Sequence, residues 1–269
     1  NQYSFSIMIL VDVHCHLDNW NLKDRLDEVL KNAEAAGVKA IITNGVNPET
    51  NRLALELAKK HKMIKAALGI YPIDALRKET ESEEYPLKWA KFEVDAELQF
   101  IKQNKDNIVA IGEIGLDFKN STDEEKEEQV KVFRKILVLA KKLDKPVIVH
   151  SRAAELRVVE ILEEIAPKDI VMHCFGGRLH LVKRIIQNGW HFSIPTNIVR
   201  SEQLQKIVEL CPLSKLLTET DSPYLCPYKG KTNEPSFVIE SIKMIAKIKG
   251  IDELEAGNII YQNYQRLFS

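Results

Sequence analysis

Ile7 to Val11 is an unbroken apolar run, and beyond it the chain alternates through Asp12, Val13, His14, Cys15 and His16. A short apolar run ending in alternation predicts a strand buried in a parallel sheet. The period then changes. From Asn21 to Ala36 apolar residues recur at helical spacing (Leu22, Leu26, Val29, Leu30, Ala33), and Gly37 follows as a stop. The two periods go on alternating: a strand at Ala40 to Asn44, a helix from Pro48 to His61, a strand at Ile64 to Gly69. Tyr71 to Tyr85 is polar and acid-rich and reads as a long loop or short helix, ahead of a helix from about Leu87 to Asn104. Strands follow at Ile108 to Glu113, Pro146 to His150, Ile170 to Cys174, Trp190 to Ile194 and Leu216 to Asp221. Helical patterns separate them at 123–143, 153–165, 178–188 and 201–210, and helices from Ser236 to Lys249 and from Asp252 to Leu267 close the chain. Eight strands alternating with helices, with no Gly/Ser or Pro-rich linker, predict an α/β protein of the (β/α)₈ barrel class, a single domain over 1–269.

Composition narrows the function classes. With 45% hydrophobic and 29% charged residues among 269, the chain can bury a substantial core. Its 38 basic and 39 acidic residues leave a net charge of −1, so no overall field draws it to nucleic acid or a membrane, and any polyanion must be held by a local site. No apolar run approaches the roughly 18 residues of a spanning helix, and residues 1–11 lack a signal peptide's basic start and cleavage site. Met8 would serve as a natural start, with residues 1–7 as a short extension, and a cytoplasmic location is expected. Cys15, Cys174, Cys211 and Cys226 form no Cys-x-x-Cys pair, which argues against a disulfide framework or thiolate zinc site and suits a reducing compartment. Cys15 points away from its two histidine neighbours and reads as core. The acidic run Asp123 to Glu128 reads as the solvated start of a helix.

The chemistry lies at the strand ends. His14 and His16, two apart, face one side of the first strand. Glu113, His150, His173 and Asp221 stand at the ends of later strands, and in a barrel those C-terminal ends form one rim. Six ligand-type residues at such positions predict a metal centre, and carboxylates mixed with imidazoles suit zinc, manganese or magnesium better than copper. His61, His180 and His191 fall at a helix end, on a helix and early in a strand, and are expected to be structural or exposed. Gly230-Lys231-Thr232 is not a nucleotide-binding loop, since Leu225 stands where its first glycine is required, so no nucleotide cofactor is expected.

These residues lie in Asp12-Val13-His14-Cys15-His16-Leu17-Asp18, Gly112-Glu113-Ile114-Gly115-Leu116-Asp117, Val147 to Arg152, His173 to Gly177, Glu219 to Leu225 and Asn233-Glu234-Pro235. In these runs the chain resembles the TatD family of metal-dependent deoxyribonucleases, within the amidohydrolase-type barrels. The resemblance covers nearly the full length. It implies two divalent ions, Mg, Mn or Zn, one held by His14, His16, Glu113 and Asp221, the other by Glu113, His150 and His173. Glu113 would bridge, supplying the shared anion that two neighbouring cations need. It further implies hydrolysis of DNA phosphodiester bonds by an activated water, with Asp221 accepting its proton. Asp117 would orient the ligands or cap the next segment. Arg152, Lys229 and Lys231 would contact phosphate. The family usually shows Gly-x-His-Pro after the third strand; here Gly69-Ile70-Tyr71-Pro72 puts a hydroxyl, uncharged near neutrality, where a substrate-contacting histidine is expected. Two alternatives stay open: a same-fold hydrolase of amides, lactones or small phosphoesters, and a non-catalytic metal-containing protein that binds nucleic acid.

Overall fold

The strands are short and mostly buried: Leu10–Cys15 (β1) buries all six of its residues and Ala110–Asp117 (β4) all eight. Strands without a solvated face belong in a parallel sheet covered on both sides. The computed structural model describes residues 8–76 and 92–268. After β1 come α1 (Trp20–Lys23), α2 (Leu26–Ala36), β2 (Val38–Asn44), α3 (Pro48–Lys60), β3 (Ile64–Leu68) and α4 (Val94–Gln103). Beyond β4 lie α5 (Asp123–Leu143), β5 (Val147–Arg152), α6 (Glu155–Ile165), β6 (Ile170–His173) and α7 (Leu179–Gln187). The chain continues through β7 (His191–Ile194), α8 (Glu202–Leu210), β8 (Leu216–Thr218), α9 (Ile239–Lys249) and α10 (Glu253–Phe268). The strands form an eight-stranded sheet in the order β1 to β8, the (β/α)₈ barrel class. Among the described residues no helix is long and apolar enough to cross a membrane.

The chain divides into two compact units, 43–192 and a second made of the residues before 43 with 193–267. Within 43–192, β3 to β6 pair in parallel. Their helices start where the sequence provides caps. Asn47 and Thr50 form a reciprocal capping box at α3, as do Thr122 and Glu125 at α5, whose first turn takes up Asp123, Glu124 and Glu125. Phe133, Ile136 and Leu137 of α5 are fully buried. In β4 the register slips between Ile111, opposite Val147, and Ile114, opposite Val149, so three steps on β4 match two on β5. This is a β-bulge, and bulges re-aim side chains. The extra residue falls at Gly112-Glu113.

The other unit joins the two ends of the chain. Thr218 Oγ1 donates to Val11 O (2.7 Å), Asp221 N to His14 O (2.8 Å) and His16 N to Ser222 O (2.9 Å), so β1 and the segment leaving β8 are zipped together. The helix expected over 21–36 is broken: α1 ends at Lys23, and Arg25 leaves the helical backbone with its Nη2 donating to the buried carboxylate of Glu234 (2.8 Å). Asn32 Nδ2 reaches the same carboxylate at 3.0 Å. The helix expected from Leu87 starts only at Val94, and its earlier part falls outside the described residues. β4 runs four residues past Glu113, because its pairing with β5 continues to Asp117 opposite Arg152. β8 stops at Thr218, three residues short of Asp221.

Candidate metal centre

The residues expected at the site gather into two donor sets, one in each unit. His14 and His16, both buried, project from one side of β1 with their rings 5.1 Å apart and nearly perpendicular. Asp221 Oδ1 stands 3.6 Å from His14 Nε2 and 3.5 Å from His16 Nε2. Asp221 lies beyond the end of β8 in a left-handed conformation (φ 56°), which an L residue rarely adopts and which clusters at functional sites. Asp12 holds it there. The Asp12 carboxylate accepts from the backbone N of His14 (3.2 Å) and of Thr220 (2.9 Å) and from Thr220 Oγ1 (2.5 Å), fixing both chain segments that carry the ligands. Burial pushes the Asp12 carboxyl up to about 8, against these hydrogen bonds. Cys15, between the histidines, is fully buried on the opposite face with Sγ toward Ile42 O, and burial pushes its thiol up, as expected of core.

In the unit 43–192, His150 Nδ1 lies 3.0 Å from Glu113 Oε1, and His173 Nε2 lies 3.8 Å from the same oxygen. The two imidazoles stack with centroids 6.1 Å apart. The bulge in β4 presents Glu113, and Gly69 leaves room for it: a Cβ at Gly69 would meet Glu113 O at 2.3 Å and Glu113 N at 2.6 Å. Behind His150 sits Asp117. Its Oδ2 accepts from Tyr71 Oη (2.8 Å), Arg152 Nε (2.8 Å) and Arg152 Nη2 (2.7 Å), and lies 3.4 Å from His150 Nε2. Burial alone would raise the Asp117 carboxyl, but its bonds to His150, Arg152 and Tyr71 outweigh that and hold it well below the usual carboxylate range. Burial would lower His150, and the carboxylates of Asp117 and Glu113 overcome this and raise it. Tyr71 is pushed up by burial and by the Glu113 and Asp117 charges, so it is a neutral donor. Asp117 Oδ1 also accepts from Lys119 N (3.1 Å), while the cap of α5 is Thr122.

The donor atoms of His14, His16 and Asp221 lie within 4.8 Å of one another, as do those of Glu113, His150 and His173. Each set offers two imidazoles and one carboxylate, the chemistry of three-ligand sites that keep a position open for water or substrate. Both sets fit a divalent ion. Lys229 and Lys231 lie on an exposed loop, and Lys231 Nζ is 5.4 Å from the Tyr228 ring centroid. His61 caps the end of α3, His180 is exposed on α7 and His191 begins β7, as expected.

Sequence reasoning missed two buried carboxyls, Asp12 as a positioning group and Asp74, whose burial no local pattern announces. Asp74 Oδ2 accepts from Asn47 Nδ2 (3.1 Å), and burial, reinforced by the Glu113 charge, pushes its carboxyl up to about 7. The folded state therefore binds this proton more tightly than the unfolded state, and stability falls as pH rises from about 4 to about 7. Full conversion of that shift would be about 4 kcal/mol; relaxation around the charge reduces it. Asp74→Asn is expected to gain about 2 kcal/mol at pH 8 and nothing at pH 4, read from urea unfolding at both. An equal effect at the two pH values would show that Asp74 titrates normally.

A family model described as TatD related DNase matches residues 11–269. A human protein named deoxyribonuclease TATDN3 is 36% identical over 263 residues, covering 96% of this chain and 94% of its own. An uncharacterized metal-dependent hydrolase from Methanocaldococcus jannaschii is 38% identical, with 96% of each chain covered. The crystal structure of YJJV, a TatD homolog from Escherichia coli, superposes with a TM-score of 0.85 at 27% identity, over 97% of this chain and 98% of that one.

Proposed function

Since the chain belongs to the TatD-related DNase family, we propose that it is a metal-dependent hydrolase that cleaves DNA phosphodiester bonds with two divalent ions, Mg, Mn or Zn. One observation carries this reading: two sets of two imidazoles and a carboxylate, each with its donor atoms within 4.8 Å. His14, His16 and Asp221 would hold one ion and Glu113, His150 and His173 the other. Bound there, such ions would polarise the scissile phosphate and make a neighbouring water acidic enough to attack.

The remaining roles fall to the chain's own groups. Asp221, less buried than the histidines beside it, would take the proton from the attacking water. Asp117 fixes the ring of His150 from behind, as carboxylates do for histidine ligands. It also anchors Arg152 through two donors, so that the guanidinium, 43% exposed, is held ready for a phosphate oxygen. Tyr71 stays protonated and donates to Asp117, which makes it a support for His150 and Arg152 rather than a charged substrate contact. We read 1–269 as one hydrolase domain, supported by an uninterrupted family match from 11 to 269, and place it in the cytoplasm, supported by four cysteines that form no Cys-x-x-Cys pair.

The test is a cleavage screen of purified protein with added divalent metal over single-stranded and duplex DNA, RNA, a small chromogenic phosphodiester, a dihydroorotate-like amide and a lactone. DNA is expected to be cut. Hydrolysis confined to the amide or lactone would move the protein to another activity on the same barrel, and no hydrolysis with both ions bound would leave a metal-containing binding protein.

A further inference from the structure

Two large aromatic side chains stand in solvent on the segments that follow the strands of the His14–His16–Asp221 set, one at the start of α1 and one on the loop beyond β8. Trp20, four residues beyond His16, is 56% exposed, and Tyr228, seven beyond Asp221, is 40% exposed. Their backbones are anchored. Asn19, buried, caps α1 through its side chain, which accepts from Asn21 N (3.0 Å) and donates to Tyr224 Oη (3.2 Å); Leu22, fully buried, pins the other side of that turn. The Tyr224 ring in turn meets His16 edge-on at 6.4 Å. On the loop beyond β8, the buried Asn233 donates to Thr220 O (2.8 Å), Tyr224 O (2.6 Å) and Thr196 Oγ1 (3.0 Å), tying its two ends together. Tyr228 packs edge-on against Phe237 at 5.1 Å and bonds to Glu240, leaving one face of its ring to solvent and to Lys231.

A fixed aromatic in water loses nothing further in conformational freedom when a flat partner covers it, and Tyr228 has cationic neighbours. Lys229 and Lys231 are exposed on the Tyr228 loop, with Arg200 Nη1 against Pro227 O of the same loop (3.4 Å). The nearby carboxylate of Glu240 is already paired with Lys243 (2.8 Å). Aromatic faces interleaved with cations match a chain that alternates flat bases with phosphates, and every base has such a face. We propose that Trp20 and Tyr228 are stacking platforms for unpaired bases of a DNA strand whose phosphates Lys229 and Lys231 hold, beside the His14–His16–Asp221 set. This rests on the nuclease reading for the identity of the strand. It assigns the aromatic surface to binding and gives Lys229 and Lys231 a purpose that neither donor set explains.

The test is separable from cleavage. Affinity of the full chain for a fluorescent single-stranded oligonucleotide is measured by anisotropy in excess chelator, with base-bearing and abasic versions of the strand. Trp20→Ala and Tyr228→Ala should each weaken binding of the base-bearing strand about tenfold, and Trp20→Phe should recover most of it. The wild type should bind the abasic strand more weakly, and the alanine variants should gain little from restoring the bases. Lys229→Gln and Lys231→Gln should each reduce the slope of log affinity against log salt by about one. Alanine variants as tight as wild type, or a wild type indifferent to the bases, would overturn the proposal, and a surface built for a protein partner would give that result. Loss of the base-dependent affinity in a protein that cuts no phosphodiester would sink the nuclease reading and leave the surface standing; cleavage with unchanged affinities would do the reverse.

Discussion

Asp221→Asn is expected to slow single-turnover DNA cleavage by ~10² or more while the protein keeps both ions, whereas Glu113→Ala is expected to lose one. The two carboxylates occupy different situations. Asp221 stands past the end of its strand, close to two Nε2 atoms and partly exposed, where it can both complete a donor set and meet a water. Asparagine keeps an oxygen at that place and cannot accept the proton. Glu113 is buried on a bulge and is the only anion among the donors of its set. Its removal leaves two imidazoles to hold a doubly charged ion, and at one of them, His150, a proton favoured by the Asp117 carboxylate competes with that ion. Metal per chain by elemental analysis and single-turnover cleavage, on variants with unchanged circular dichroism, distinguish the two. Near wild-type cleavage by Asp221→Asn, or two ions retained by Glu113→Ala, would show that these roles are wrongly assigned even in a working nuclease.

Chelation should have the larger effect still. Dialysis against excess chelator is expected to bring hydrolysis to background, and Mg²⁺ or Mn²⁺ to restore it. Because the ions bind the folded chain, the stripped protein should also melt at lower temperature; an ion present at a hundred times its dissociation constant contributes about 2.7 kcal/mol of stability. Full activity in a sample shown to be metal-free would remove the ground for both donor sets at once.

The features legible in the sequence were those set by neighbours within a few residues. The acidic run from Asp123 announces the start of α5, Gly37 the end of α2, and the paired histidines of β1 the side they face. The six candidate donors were picked out by residue type at strand exits. What could not be read depends on partners far along the chain. Arg25 breaks a helical pattern for a carboxylate 209 residues away. Glu113 looked like the end of a strand because nothing local says that β4 keeps pairing with β5 as far as Asp117. Tyr71 looked like a failed histidine until its bond to Asp117, 46 residues on, showed what the hydroxyl does. Asp12 and Asp74 are ordinary acids in the sequence and become unusual only through burial.

The zipper between β1 and the exit of β8 also fixes an order of assembly during synthesis. The hydrogen bonds that hold Asp117 and His150 join residues of 43–192, with separations such as 35 for Asp117 and Arg152 and 79 for Tyr71 and His150. The ribosome has delivered all of that donor set before residue 193 exists. The other set needs Asp12 to find Thr220, 208 residues later, and so waits for nearly the whole polypeptide. Loop closure makes the difference modest in free energy, about 0.6 kcal/mol for each doubling of length, but at 5 to 20 residues per second it is a delay of roughly several seconds. During that interval His14 and His16 are already made and Asp221 is not, so the histidines encoded first are the last to be joined by their carboxylate.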